Sequence, residues 1–197
     1  MHRRITVTSV SQIHAPEDFL TALDSLRGHE FRPELHIVQI PPPKRIAPWA
    51  VALQAEINDS TAMEPDNYRG GARFVVLHDP AGQEAWHGTF RIVCHMGAPM
   101  DAAMAGDPLL GEVAWAWLAD TLDAHGADYH HLVGTVTRMY NETFGGLELA
   151  SSLTEVELRA SWTPNSPDLY HHVRAWADFI ALACGLAPEG TTALPAR

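Results

Sequence analysis

Apolar and polar residues alternate with a period of two along residues 86–96. Trp86, Gly88, Phe90, Ile92, Cys94 and Met96 share one face, and His87, Thr89, Arg91, Val93 and His95 the other. Successive strand side chains point to opposite faces, so this is the pattern of a strand with one buried face. Residues 72–78 are also strand-like, and Asp79-Pro80-Ala81-Gly82 separates the two. That tetrapeptide has type I turn chemistry: Asp first, Pro with φ at about −65° second, Gly where left-handed backbone is needed. A type I turn with a bulge glycine predicts a three-residue hairpin loop. In that register His78 faces Glu84, Val76 faces Trp86, Phe74 faces Gly88 and Ala72 faces Phe90.

Two further stretches alternate in the same way. Trp49, Val51, Leu53, Ala55 and Ile57 form one face of a strand, with Gln54 and Glu56 on the other. Val156, Leu158, Ala160 and Trp162 point inward along 154–162, and Glu155, Glu157, Arg159 and Ser161 outward. Strands are also expected over 34–40, closed by the prolines at 41–43, and over 129–142, broken by Phe144-Gly145-Gly146.

Helical spacing appears three times. Phe19, Leu23 and Leu26 follow Pro16-Glu17-Asp18 and stop at Gly28. Leu110, Val113, Trp117, Leu118 and Thr121 follow Asp107-Pro108 and stop at His125-Gly126. Leu169, Val173, Trp176 and Ile180 follow Ser166-Pro167 and stop at Gly185. Each begins with capping or first-turn residues and ends at a residue tolerant of left-handed backbone. A helical turn is expected over 98–105, and the polar, glycine-bearing 58–71 reads as a mobile loop.

The order is helix, four strands, helix, two strands, helix. Short connections between strands imply antiparallel pairing, and one apolar face per strand implies helices packed on one side. The expected fold is a single α+β domain over 15–187, a mostly antiparallel sheet of about six strands with three main helices. An irregular arm at 1–14 and a flexible tail at 188–197 flank it. The element order resembles the secretion-chaperone-like fold, whose members often dimerise and bind peptides or proteins.

Composition narrows the function classes. Asp and Glu number 24 against 13 Lys and Arg, a formal charge of −11, and Lys44 is the single lysine. Such a surface repels a phosphate backbone, so direct nucleic-acid binding is not expected. No apolar run approaches the ~20 residues of a membrane helix, and the first ten residues are too polar for a signal-peptide core. Cys94 and Cys184 read as buried free thiols of a reducing compartment, which implies a cytoplasmic protein.

Candidate chemistry gathers on the polar strand faces. His87, Arg91 and His95 lie on one strand, and Glu155, Glu157 and Arg159 on another. Arg138 closes the glycine-led Gly134-Thr135-Val136-Thr137-Arg138. If the first two strands are neighbours, imidazoles, carboxylates and guanidiniums converge into a ligand-binding surface. The plainer alternative is a solvated face whose charges pair crosswise. No residue is assigned a catalytic role. His130-His131 and His171-His172 diverge on a strand or helix and cannot chelate as pairs, so no metal and no cofactor is expected. No P-loop, G-x-G-x-x-G or G-x-S-x-G occurs.

Several segments together carry a family resemblance: R-P-E-L, R-I-A-P-W-A, H-D-P-A-G-Q-E-A-W-H-G-T-F-R, D-P-L-L-G-E-V, G-T-V-T-R, F-G-G and R-A-S-W-T-P. From about Phe19 to Pro188 the chain resembles an actinobacterial family catalogued as domain-of-unknown-function family 3000. The resemblance implies a bacterial cytoplasmic origin and brings no established activity or site residues. The expected function is a non-enzymatic cytoplasmic protein-binding or regulatory protein, chaperone- or adaptor-like, with a protein partner or a homodimer. The alternative is a small-molecule enzyme or ligand-binding protein that uses the polar sheet face.

Overall fold

The alternating stretches become strands of one sheet, with the helical stretches stacked on its apolar side. The computed structural model describes residues 3–4, 15–58, 68–100, 104, 106–140 and 154–186. In chain order the elements are β1 (Arg3–Arg4), α1 (Glu17–Ser25), β2 (Glu30–Phe31), β3 (Leu35–Ile40), β4 (Trp49–Asn58), β5 (Tyr68–Gln83), β6 (Gly88–Met100), α2 (Leu110–Ala124), β7 (Tyr129–Tyr140), β8 (Thr154–Pro164) and α3 (Tyr170–Ala183). β1 and β2 make a small separate ladder. The main sheet has six antiparallel strands in the order β3-β4-β5-β6-β8-β7. This is the α+β architecture expected from the sequence, with β8 inserted between β6 and β7.

The core lies between the sheet and the helices. Phe74 packs its ring against Trp162 of β8 and Trp176 of α3, with centroids 6.2 and 5.2 Å away. Phe19, Leu23 and Leu26 close one end, and Val173, Phe179 and Ile180 of α3 cover the centre. Full burial of such a side chain contributes about 1.5–3 kcal/mol. Leu169 at the start of α3 donates its backbone N–H to Ser25 Oγ at 2.9 Å, tying the beginning of that helix to the end of α1.

Four local expectations are corrected. The chain does not reverse at 79–82. Asp79 Oδ1 accepts the Ala81 N–H at 3.1 Å and Gly82 has φ +75°, so the local turn chemistry forms, but as an irregularity within β5. Reversal comes at a 3-10 turn, Glu84–Trp86, followed by His87 in the left-handed region at φ 54°. The register therefore pairs Val76 with Ile92, Phe74 with Cys94 and Ala72 with Met96. Burial of these apolar pairs outweighs the local preference for the tighter loop. His78 faces Phe90, not Glu84, and is buried between the rings of Phe90 and Phe19.

The second correction is at 98–100, where β6 continues, paired with Thr154–Val156; Met104, later in the expected helical turn, is helical. The third concerns α2, whose buried stripe is Leu110, Ala114, Leu118 and Leu122. Val113 is exposed, because small Ala114 takes the position against Val156. Asp107 Oδ1 accepts the Leu109 N–H at 2.8 Å in a turn that precedes this helix. The fourth is the loop expected at 58–71: Asn58 ends β4 and 68–71 begin β5, because the two strands stay paired to their ends. Its middle, 59–67, the breaker at 144–146 and the tail at 188–197 lie outside the described residues.

Candidate functional site

The face of the sheet away from the helices carries its side chains in rows that run across the strands. One row reads Gln54, Arg73, His95, Arg159 and Thr135, on β4, β5, β6, β8 and β7 in turn. The row beside it reads Glu56, Gly71, Gly97, Glu157 and Thr137. Two arginines make the first a cationic row, and carboxylates flank two glycines in the second, acidic one. Beyond the cationic row stand Ala52, Val75, Val93, Ser161 and Val133. Beyond the acidic row stand Pro99, Glu155 and Met139.

Glu157 is the hub. Its Oε1 accepts the imidazole N–H of His95 Nε2 and two guanidinium N–H groups of Arg159, at 3.1 Å from Nε and 2.8 Å from Nη2. The His95 bond, then those of Arg159, hold the Glu157 carboxyl below the usual carboxylate range. It is a paired anion and is poorly suited to giving or taking protons near neutrality. Gln54 Nε2 donates to Glu56 Oε1 at 3.0 Å. Arg73 is exposed and makes no hydrogen bond or ion pair among the described residues. With no side chains on Gly71 and Gly97, the face dips into an open hollow of about 390 Å³, bordered by Gln54, Glu56, Arg73, His95, Met139, Glu155 and Glu157.

Four of the residues singled out from the sequence meet here: His95, Glu155, Glu157 and Arg159. Three do not. Arg91 is buried, although alternation assigns it to the open face. Its guanidinium donates to the His131 carbonyl and Thr163 Oγ1, each at 3.0 Å, and to Ser161 O at 3.2 Å and Oγ at 2.7 Å. An irregularity in β7 between His130 and Val133 brings His131, at φ 51°, back over it. Burial lowers the pKa of Arg91, and its role is to bind β6, β8 and β7 together.

His87 stands at the hairpin turn, its ring stacked 3.8 Å from that of His131. Eight residues of extended chain, roughly 26 Å, separate it from His95. Arg138 is opposite Val156, on the helix-covered side, and donates to the Asp107 carbonyl at 2.8 Å ahead of α2.

Arg73, Gln54, Glu56 and the two glycines were absent from the sequence-based candidates. Their signal was present: Gln54, Glu56 and Arg73 alternate with buried residues of their own strands. Only the registers show that they share rows with His95 and Glu157. Among the described residues no group of three or more His, Cys, Asp or Glu side chains is arranged to hold a metal ion. Among them, too, no helix is long and apolar enough to cross a membrane. Cys94 and Cys184 are buried free thiols, and burial pushes the Cys94 thiol up to about 12.

Over residues 15–192 the chain matches, and belongs to, the family described as "Protein of unknown function (DUF3000)". No curated protein and no solved structure matches it.

Proposed function

We propose that this family member is a non-enzymatic binding or regulatory protein, adaptor- or chaperone-like, that recognises another polypeptide through the open polar face of its sheet. The observation that carries this reading is the Glu157 hub. The central carboxylate is pinned as an anion between His95 and Arg159, while neighbouring Arg73 makes no ion pair among the described residues. Fixed charges beside an open, shallow surface favour recognition, whereas acid–base chemistry needs a group tuned toward neutrality. The inert, buried thiols suit a cytoplasmic setting. The acidic balance of the chain disfavours nucleic acid as the partner.

The volume of the hollow favours a second reading. About 390 Å³ falls within the range of small-molecule sites, so a small polar ligand is the alternative occupant. Charge reversal at Arg73 and Arg159 separates the two. Immobilised wild-type protein is expected to retain a defined polypeptide that the folded Arg73→Glu, Arg159→Glu variant releases. Retention of a small molecule in native mass spectrometry, with no polypeptide lost from the variant, would favour the ligand-binding reading instead.

A further inference from the structure

The four rows of the open face are complementary to themselves. Take a twofold axis parallel to the rows, midway between the cationic and the acidic one. Such an axis lays each row of one copy on a different row of the other. Arg159 then meets the partner's Glu157. Arg73 projects over the partner's Gly71, into the hollow whose wall is the partner's Glu56. Val93 meets the partner's Pro99, and Val133 meets the partner's Met139. Charge faces opposite charge, long side chain faces glycine, and apolar faces apolar, all under one operation.

We propose that the polar face is closed by the same face of a second copy, in an aligned, isologous sheet-on-sheet dimer. The proposal rests on the reading that this face recognises a polypeptide, and it names that polypeptide as the chain itself.

Three further points support it. Arg73, His95 and Arg159 are direct cross-strand neighbours. Glu157 pairs with Arg159, and Arg73 pairs with no carboxylate among the described residues. A second acidic row supplies the missing carboxylates. Packed sheets stand ~10 Å apart, and the glycine floor gives Arg73 room to extend between them. Finally, the five strands and four rows at normal strand spacing and rise span roughly 650 Å². That lies within the ~600–1,000 Å² each partner contributes to a standard-sized interface.

Gly97 supplies a clean probe. A Cβ built there meets nothing within 4 Å, so the backbone accepts a side chain that rises into the hollow. Sedimentation velocity on the full chain at micromolar concentration, with circular dichroism to confirm folding, is the test. The wild type is expected to sediment at twice the chain mass. Arg73→Glu and Gly97→Leu are each expected to weaken association by at least about tenfold. The double variant Arg73→Glu, Glu56→Arg exchanges the two charges and is expected to regain it. A monomeric wild type overturns the dimer, and so does a dimer that none of the variants weakens. If that monomer still captures a different polypeptide and loses it on charge reversal, the binding face stands and only the identity of the partner is wrong.

Discussion

His95 on β6 and Glu157 on β8, 62 residues apart in sequence, share a hydrogen bond across the middle of the open sheet face. The pairing lowers the pKa of Glu157 in the folded protein, chiefly through His95 and then Arg159. A carboxylate with a depressed folded pKa gives its full stabilisation above its unfolded value, ordinarily about 4.5. It loses that stabilisation as pH falls through the lowered one. Urea midpoints of wild type and Glu157→Gln are therefore expected to differ at pH 7 and to converge as the pH drops below that range. A gap that persists unchanged at the acid end would mean that Glu157 acts by shape alone.

A second titration lies in the core. Trp162 donates its indole N–H to His172 Nδ1 at 3.1 Å, so the imidazole is a neutral acceptor. Burial, with a smaller contribution from His171, pulls its pKa down to about 4 from 6.5. The unfolded chain binds the proton more readily, so stability falls as pH drops from 6.5 to 4 and this contribution levels off below. The whole step is about 3 kcal/mol. His172→Gln keeps an acceptor for Trp162 and removes the titration. Its stability should fall less than the wild type's over that interval, by about that amount, as read from urea unfolding at half-unit pH steps; parallel profiles would contradict the buried neutral imidazole.

Removing Arg91 should weaken the sheet and leave the hollow's own groups in place. Arg91→Met strands the acceptors at His131, Ser161 and Thr163, and a loss of about 2–4 kcal/mol in urea unfolding is expected. A loss below ~0.5 kcal/mol would show that water replaces the guanidinium without penalty.

Gly134 and Gly97 are expected to respond oppositely to enlargement. A Cβ at Gly134 would run into the carbonyl oxygen of Arg159 and come within 2.6 Å of the Trp115 ring, whereas Gly97 has open space above it. Gly134→Ala should cost about 1–3 kcal/mol through overpacking between β7, β8 and α2. Gly97→Ala should change thermal stability little. Equal losses in a melting experiment would contradict the close approach of Trp115.

Much of this architecture is legible in local pattern. Alternation along 49–57, 86–96 and 154–162 assigns almost every buried residue of β4, β6 and β8 to the correct face, because a one-residue slip would expose an entire apolar set. What local pattern misses is set by distant pairing. Asp79-Pro80-Ala81-Gly82 has every residue of a reversing turn, yet apolar pairs such as Phe74 with Cys94 displace the reversal to 84–87. Arg91 obeys the alternation and is buried nonetheless, because β7 folds back over it. Half of the candidate site was readable as outward polar residues. Arg73, Gly71 and Gly97 joined it only through the registers that align β5 with β6 and β6 with β8.

The central claim, that the open face is a polypeptide-binding surface, is tested most directly by photo-crosslinking in cells. A photoreactive residue replaces Val93, beside the cationic row on β6, and in a control Leu182, exposed on α3. The account predicts a discrete cross-linked polypeptide from position 93, of twice the chain mass if the partner is a second copy, and none from position 182. Equal or no protein cross-linking from both positions would contradict it.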